Sequence, residues 1–448
     1  MQATVDDIKD HASRLRSAGA RLLCGMVSDS GGVLRAKSVP AARMEAFATA
    51  GMGASVTWPV FCVDNHVAMT DEIGVTGDLR LVADLSGAVV LDDGFAWAPA
   101  DVHTQDGNRS ALCWRDVACR QVDRVARMGI DVLAGFEMEF TVMDATGTRI
   151  GDERGWTAYG AGEFSMLSGF AADITDRLAA AGVPVEQIHA EYGMGQYELS
   201  LPPASLVAAA DAVLLARTVI GRVARERNLL VSFSPMPFEG GSGNGGHLHL
   251  SFTRDGRPLL SGGAGGAGMT PDGEHLVAGL VEHLPETIAV LAGSVVSTDR
   301  LVPGHWSGAY SCWGVENREA AVRLLTATPG NPHGANVEVK CIDGAANPYV
   351  AAGLLLGIAA NGLDAGLPLP AEVPGDPTAL SKAAAADAHL RRLPDTLPGA
   401  LDAFAASAAT TAIVGPELKA AIAAVRSHEL EAYPDADRYR QTRFAWSA

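Results

Sequence analysis

Two periodicities run along this chain. From Ser110 onward, stretches with apolar residues every three or four positions alternate with short stretches whose polar residues recur at every second position. The first pattern predicts helices, and the second predicts strands with one buried face. Before Ser110 the texture differs. A polar helix is expected over residues 4–18, and "RLLCGMVSDSGGVLRAKSVP" reads as a hairpin turning at Asp29–Gly32. Short strands such as "LRLVADL" and "AVVLDD" follow. Residues 1–106 are therefore expected to form a small sheet-rich domain and residues 107–448 a larger α+β domain.

In the larger part, helices are expected over "ALCWRDVACRQVDRVARMG", "FAADITDRLAAAG" (ended by Gly182) and "ASLVAAADAVLLARTVIGRVARERN". Three more are expected at 272–292, 347–363 and 397–430. Strands are expected at "IDVLAGFEMEFTVM", "LLVSFSP" and after the glycine-rich "FEGGSGNGG". "GGAGGAG" (262–268) contains a formal GxGxxG, but it follows a charged turn and precedes Thr270–Pro271. The dinucleotide fingerprint needs a helix opening directly from a strand, so this segment reads as a flexible surface loop.

Composition narrows the function. With 48% hydrophobic and 19% charged residues, the 448-residue chain can bury a large core. Its net charge of −18 disfavours a nucleic-acid partner, which would need a basic face. The N-terminus lacks a cationic start followed by an apolar run, and "YVAAGLLLGIAANGL" is too short and interrupted to span a membrane. Six cysteines without a CxxC pair suit reduced thiols. A cytoplasmic protein is expected.

The chemistry lies in the period-two segments. Glu137 and Glu139 in "GFEMEF" share one strand face within an apolar frame. Adjacent half-buried carboxylates repel unless one takes up a proton or a cation sits between them. His247 and His249 repeat the pattern, as do Asn336, Glu338 and Lys340, while Glu191 and Glu198 flank a glycine-rich turn. Five carboxylates and a histidine suggest a cavity for two or three divalent cations, and oxygen ligands favour Mg²⁺ or Mn²⁺ over zinc. Such ions commonly hold the phosphates of ATP, and Arg300, Arg318 and Arg323 are candidate partners for the remaining charge.

These segments, together with "GVLRAKSVP", "GDLRLVADL", "RLVPGHW", "ENREAAVRL" and "VEVKCIDGAANPYVAAGLLLG", resemble the glutamine synthetase superfamily over nearly the whole chain. The resemblance implies a β-grasp N-terminal domain and a catalytic domain built on a curved antiparallel sheet, a partial barrel. It also implies a homododecamer of two hexameric rings with active sites between subunits. Glu139, Glu191 and Glu198 would bind one metal, and Glu137, His247 and Glu338 a second. Gly243 and His249 would line the amino-acid side, with Arg300 gripping a substrate carboxylate. Glu186, Ser251, Arg318 and Arg323 would contact the nucleotide. A γ-carboxylate would take phosphate from ATP, and an amine would displace it to form an amide.

Three departures from the family pattern bear on the substrates. After "RLVPG" the ammonium-using enzymes continue Tyr-Glu, whereas this chain reads His305–Trp306. An indole in place of a carboxylate suits an organic amine better than ammonium. The family's Arg-x-Glu-x-Arg is here Asn336-Val-Glu338-Val-Lys340, which loses two guanidinium groups and bears on acid binding. "TWPVFCVDNHV" lacks the family's Asp-Gly-Ser-Ser, leaving Asp64 as the candidate for its ammonium-binding aspartate. The expected activity is ATP-dependent joining of glutamate to an organic amine. The alternatives are an ammonium-using synthetase, a non-catalytic homologue and a metal-dependent hydrolase.

Overall fold

Asp29 closes the first hairpin. One of its carboxylate oxygens accepts from the Gly31 and Val33 amides, and the other accepts from Arg35. Gly32 turns the chain at φ +79°, where a Cβ would strike the Ala345 carbonyl. In this computed structural model, residues 4–151, 155–434 and 437–447 are described. Strands β1 (Leu22–Ser28), β2 (Leu34–Pro40), β3 (Met52–Ser55), β4 (Asp78–Ala83), β5 (Val89–Val90) and β6 (Phe95–His103) form one sheet. Its order is β2-β1-β6-β4-β3, with β5 on β6 and only β1–β6 parallel. A Thr4–Asp7 capping box opens the helix Val5–Ser17, which buries Ala12 and Leu15.

The second sheet is built on the long strand β7 (Asp131–Asp144). It adds β8 (Gln187–Ala190), β9 (Gln196–Ser200), β10 (Ala204–Ser205), β11 (Leu229–Ser232), β12 (Leu248–Arg254) and β13 (Arg257–Pro258). The remaining members are β14 (Tyr310–Val315), β15 (Ala320–Leu325), β16 (Asn336–Val339) and β17 (Arg391–Arg392). The main path runs β17-β14-β15-β16-β12-β7-β9-β8 and is antiparallel except for the parallel pair β14–β15. Strand β7 spans both halves of the site, pairing with β12 through residues 131–136 and with β9 through residues 137–141.

Helix Pro348–Ala365 starts at Asn347, whose side chain accepts from the Tyr349 and Val350 amides. Contrary to the expectation from sequence, it is long and apolar enough to cross a membrane, yet 78% of it is buried against its own protein, including helices Trp114–Arg127 and Pro271–His283. Two long helices expected from the pattern are broken. The span 272–292 divides at a 3₁₀ turn, Leu284–Thr287, where Pro285 has no amide hydrogen to give. The span 397–430 becomes Leu397–Ala406, Ala408–Val414 and Pro416–Ala432. Ser407 caps the second of these, and Gly415–Pro416 opens the third. Segment 262–268 ends in a 3₁₀ turn tied to helix Pro271–His283 by the Gly266 amide donating to Glu274, not in a strand-to-helix elbow.

Candidate active site

Strand β7 points Phe136, Met138 and Phe140 into the core, which puts Glu137 and Glu139 on its other face. Register then assembles the partners. Across β9 and β8, Glu139 stands opposite Glu198, and Glu198 opposite His189. Across β12, β16 and β15, Gly135 faces His249, His249 faces Glu338, and Glu338 faces Arg323.

The side chains converge. His247 Nδ1 lies 3.1 Å from Glu137 Oε2 and 3.4 Å from Glu338 Oε1, and His249 Nε2 lies 3.4 Å from Glu137 Oε1. His189 Nε2 is 3.2 Å from Glu191 and 3.8 Å from Glu198. Glu139 accepts from the Gln196 side chain at 2.9 Å and from the Gly245 amide at 2.8 Å. Glu338 accepts from Lys340 at 3.0 Å and from Arg323 at 3.1 Å. Buried Arg300 donates to the Lys340 carbonyl at 3.0 Å, while its second terminal nitrogen has no partner among the described residues.

Two glycines leave room for this cluster. A Cβ at Gly245 would lie 2.6 Å from His247 Nε2 and 2.7 Å from Arg300, and one at Gly243 would lie 2.7 Å from the Arg300 stem. Residues 111–445 match the glutamine synthetase catalytic domain. The chain belongs to the glutamine synthetase family. It is 43% identical over 408 residues to a γ-glutamylpolyamine synthetase, GlnA3, of Streptomyces coelicolor, covering 90% of this chain and 88% of that one. A solved structure described as a novel glutamine synthase homologue superposes with TM-score 0.85 at 30% identity, covering 95% of this chain and 98% of the other. A GmaS/ADP complex gives 0.83 at 25% identity, covering 97% and 99%. This glutamine synthetase family member is thus an ATP-dependent ligase with the mixed α+β fold of its relatives.

The ligase does not gather every residue the sequence singled out. Ser251 falls on the His249 side of β12 by alternation. Glu186 is exposed just before β8, its amide bonded to the Ser200 carbonyl. Arg318 is exposed on the link between β14 and β15, near enough to Tyr159 to lower that phenol's pKa against the larger effect of burial. Trp306 is 52% exposed at φ +53°, its amide donating to Glu319 at 3.0 Å. Asp64 lies outside the cluster, 2.9 Å from His428. In the other direction, His189, Gln196 and Tyr159 are additions. Tyr159, at φ +57°, stacks on His189 with centroids 6.1 Å apart and hydrogen-bonds Glu191. His189 stands two before Glu191 in "IHAE", so the period-two signal was present there too.

The donor set suits the divalent cations that this family uses. Glu137–Glu198–His247, Glu137–His249–Glu338 and His189–Glu191–Glu198 each place one ligating atom per residue within 4.8 Å of one another. Electrostatics agree that a cation is wanted. Burial raises the Glu198 carboxyl, and Glu137, Glu139 and Glu191 add to it, to about 10. Burial also opposes Glu137, but hydrogen bonds from His247 and His249 prevail and hold it far below the usual range. Glu338 likewise falls against burial, to about 2, through Lys340, His247 and His249.

A testable consequence follows for Glu198. Without a cation it carries a proton up to about pH 10, so a cation bound near neutral pH must expel that proton. Mg²⁺ affinity should then rise with pH from about 7 toward about 10, with nearly one proton released per chain. A carboxyl raised in this way stabilises the metal-free fold at low pH and withdraws that stability as pH climbs toward about 10. Calorimetry in buffers of different ionisation enthalpy reads the proton directly. Release that persists in Glu198→Gln would assign it elsewhere.

Proposed function

We propose that the protein joins the γ-carboxyl of glutamate, or a close analogue, to a polyamine or another organic amine. One observation carries the reading: strand register and the adjoining turns bring Glu137, Glu139, Glu191, Glu198, Glu338, His247 and His249 together beside a buried arginine with an N–H unpaired among the described residues. The three acidic groups would hold two or three Mg²⁺ or Mn²⁺ ions, which would neutralise the transferring phosphoryl group of ATP. Arg300 would pair the acid's carboxylate through its free nitrogen. Arg318 and Arg323, with Glu186 and Ser251, would line the nucleotide side, and Gly243 would keep the acid's path open. His249 is held by Asn336 at 2.8 Å, and Lys340 by Glu338, so both substituted positions of the strand motif still brace the site.

The chemistry balances as two transfers. The γ-carboxylate oxygen attacks the terminal phosphorus of ATP, giving an acyl phosphate and ADP. The amine nitrogen then attacks the acyl carbon, phosphate leaves, and the nitrogen sheds a proton. The indole at Trp306 and the kinship with a γ-glutamylpolyamine synthetase favour an amine that carries carbon. Two stacked hexameric rings, with residues 1–106 as one domain and 107–448 as the other, form part of the same proposal.

The assay is phosphate release from ATP, Mg²⁺ and glutamate with ammonium, monoamines, ethanolamine or polyamines. Release is expected with amines and not with ammonium; silence with all of them would favour a non-catalytic homologue. In Trp306→Glu the ammonium-to-polyamine ratio of kcat/KM should rise at least about tenfold, a change of ~1.4 kcal/mol. An unchanged ratio removes Trp306 as the selector.

A further inference from the structure

Away from the carboxylate cluster, a second set of ligating side chains meets between two distant parts of the chain. Residues 62–66 form a tight turn. The Cys62 amide donates to the His66 carbonyl at 2.9 Å, the Asn65 amide donates to the Cys62 carbonyl at 3.0 Å, and Asn65 has φ +66°. Arg35 braces this turn through the Cys62 carbonyl and the Asn65 side chain. The turn therefore displays Cys62, Asp64 and His66 at alternate positions.

Helix Pro416–Ala432 brings His428 to it. Its Nε2 lies 2.9 Å from Asp64 Oδ2, and its ring stacks on His66 with centroids 3.9 Å apart and planes 6° apart. One ligating atom each from Cys62, Asp64 and His428 lies within 4.8 Å of the other two. The Cys62 side chain is fully buried, while the Asp64 and His428 side chains are 31% and 20% exposed. The sulfur thus forms the floor of a group whose other members reach solvent. The nearby acids are engaged elsewhere, Asp29 with Arg35 and Glu429 with Arg426.

We propose that Cys62, Asp64 and His428 form a three-ligand site for a thiophilic divalent cation such as Zn²⁺, with His66 stacked on the His428 ring to hold it in place and the fourth tetrahedral position left to solvent. A set of sulfur, imidazole nitrogen and carboxylate oxygen suits a tetrahedral, borderline-soft ion. Mg²⁺, which takes oxygen ligands, does not compete for a thiolate. Binding replaces the thiol proton, and the thiolate and carboxylate together neutralise the ion's two charges. The ion would staple the 62–66 turn to a helix more than 360 positions away in sequence.

The test is Co²⁺ titration of the purified protein in excess Mg²⁺, read at the thiolate-to-cobalt band, which Co²⁺ bound to the carboxylate cluster cannot give. One thiolate-bound Co²⁺ per chain is expected, read from the amplitude of a near-ultraviolet thiolate-to-cobalt band that Zn²⁺ abolishes. Cys62→Ser should lose the band and His428→Gln should weaken binding at least about tenfold, or ~1.4 kcal/mol. Circular dichroism confirms that each variant is folded. If Cys62→Ser does not fold, His428→Gln, which replaces a partly exposed side chain, carries the test. No band in the parent protein, or a band unchanged in either folded variant, overturns the proposal.

Discussion

Replacing Glu137 with Gln is expected to lower ligase turnover by on the order of 10³-fold, because it removes a full charge where divalent ions must neutralise a phosphoryl group. Glu137 contacts both His247 and His249 and belongs to two of the three groups of the carboxylate cluster able to hold a cation. Glutamine keeps the volume and hydrogen-bonding capacity of the side chain but offers a far weaker ligand. The fold should lose some stability, because His247 and His249 hold Glu137 ionised in the metal-free protein. Glu137 is one of the charges that raise Glu198, so losing it relieves repulsion in the metal-free protein. His249, whose pKa is raised against burial chiefly by Glu137, should in turn lose its tendency to charge. The variant should therefore show a modestly lower metal-free Tm, partly offset by relief of Glu198, with weaker Mn²⁺ binding and near-absent phosphate release. Turnover within fivefold of the parent at saturating Mg²⁺ would remove Glu137 from the catalytic centre.

Much of this site was legible because strand alternation is a local property. Glu137 with Glu139, and His247 with His249, are each fixed to a shared direction by a two-residue spacing, whatever surrounds them. Register is not local. That Glu139 faces Glu198, and His249 faces Glu338, depends on pairings between strands about 60 to 90 positions apart. Sequence resemblance supplied what periodicity could not. Tyr159 was missed for a different reason: its place beside Glu191 depends on a left-handed backbone conformation that its residue type does not announce.

The breaks in the long helices carry their own sequence signals. Pro285, the capping Ser407 and the Gly415–Pro416 pair all stand within patterns whose apolar spacing continues across them. Spacing records which face is buried, not whether the backbone runs on unbroken. Apolar periodicity survived the breaks because the successive short helices all bury residues, among them Leu397, Phe404, Ile413 and Leu418.

Arg300→Ala should raise the KM for the acid substrate by roughly 10² to 10³-fold, matching the ~2–5 kcal/mol that follows truncation of one member of a buried charge pair. Arg300 is 6% exposed, yet one terminal nitrogen has no acceptor among the described residues. A guanidinium is strongly solvated in water, so leaving a donor buried and unpaired costs stability that only an incoming acceptor recovers. A substrate carboxylate supplies that acceptor and the opposite charge together. The fold has a second reason to tolerate the loss. Burial raises the carboxyl of Asp343, and the Arg300 charge opposes that rise; without Arg300, Asp343 takes up a proton instead of standing as a bare buried anion. The effect should therefore appear mainly in the KM for glutamate, with a smaller change in kcat at saturation and little change in the KM for ATP. Added guanidinium at low concentration should restore part of the lost affinity, since the deleted group leaves a cavity of its shape. A glutamate KM within threefold of the parent would place the acid elsewhere, and an equal rise in the KM for ATP would point to general disorder of the cluster.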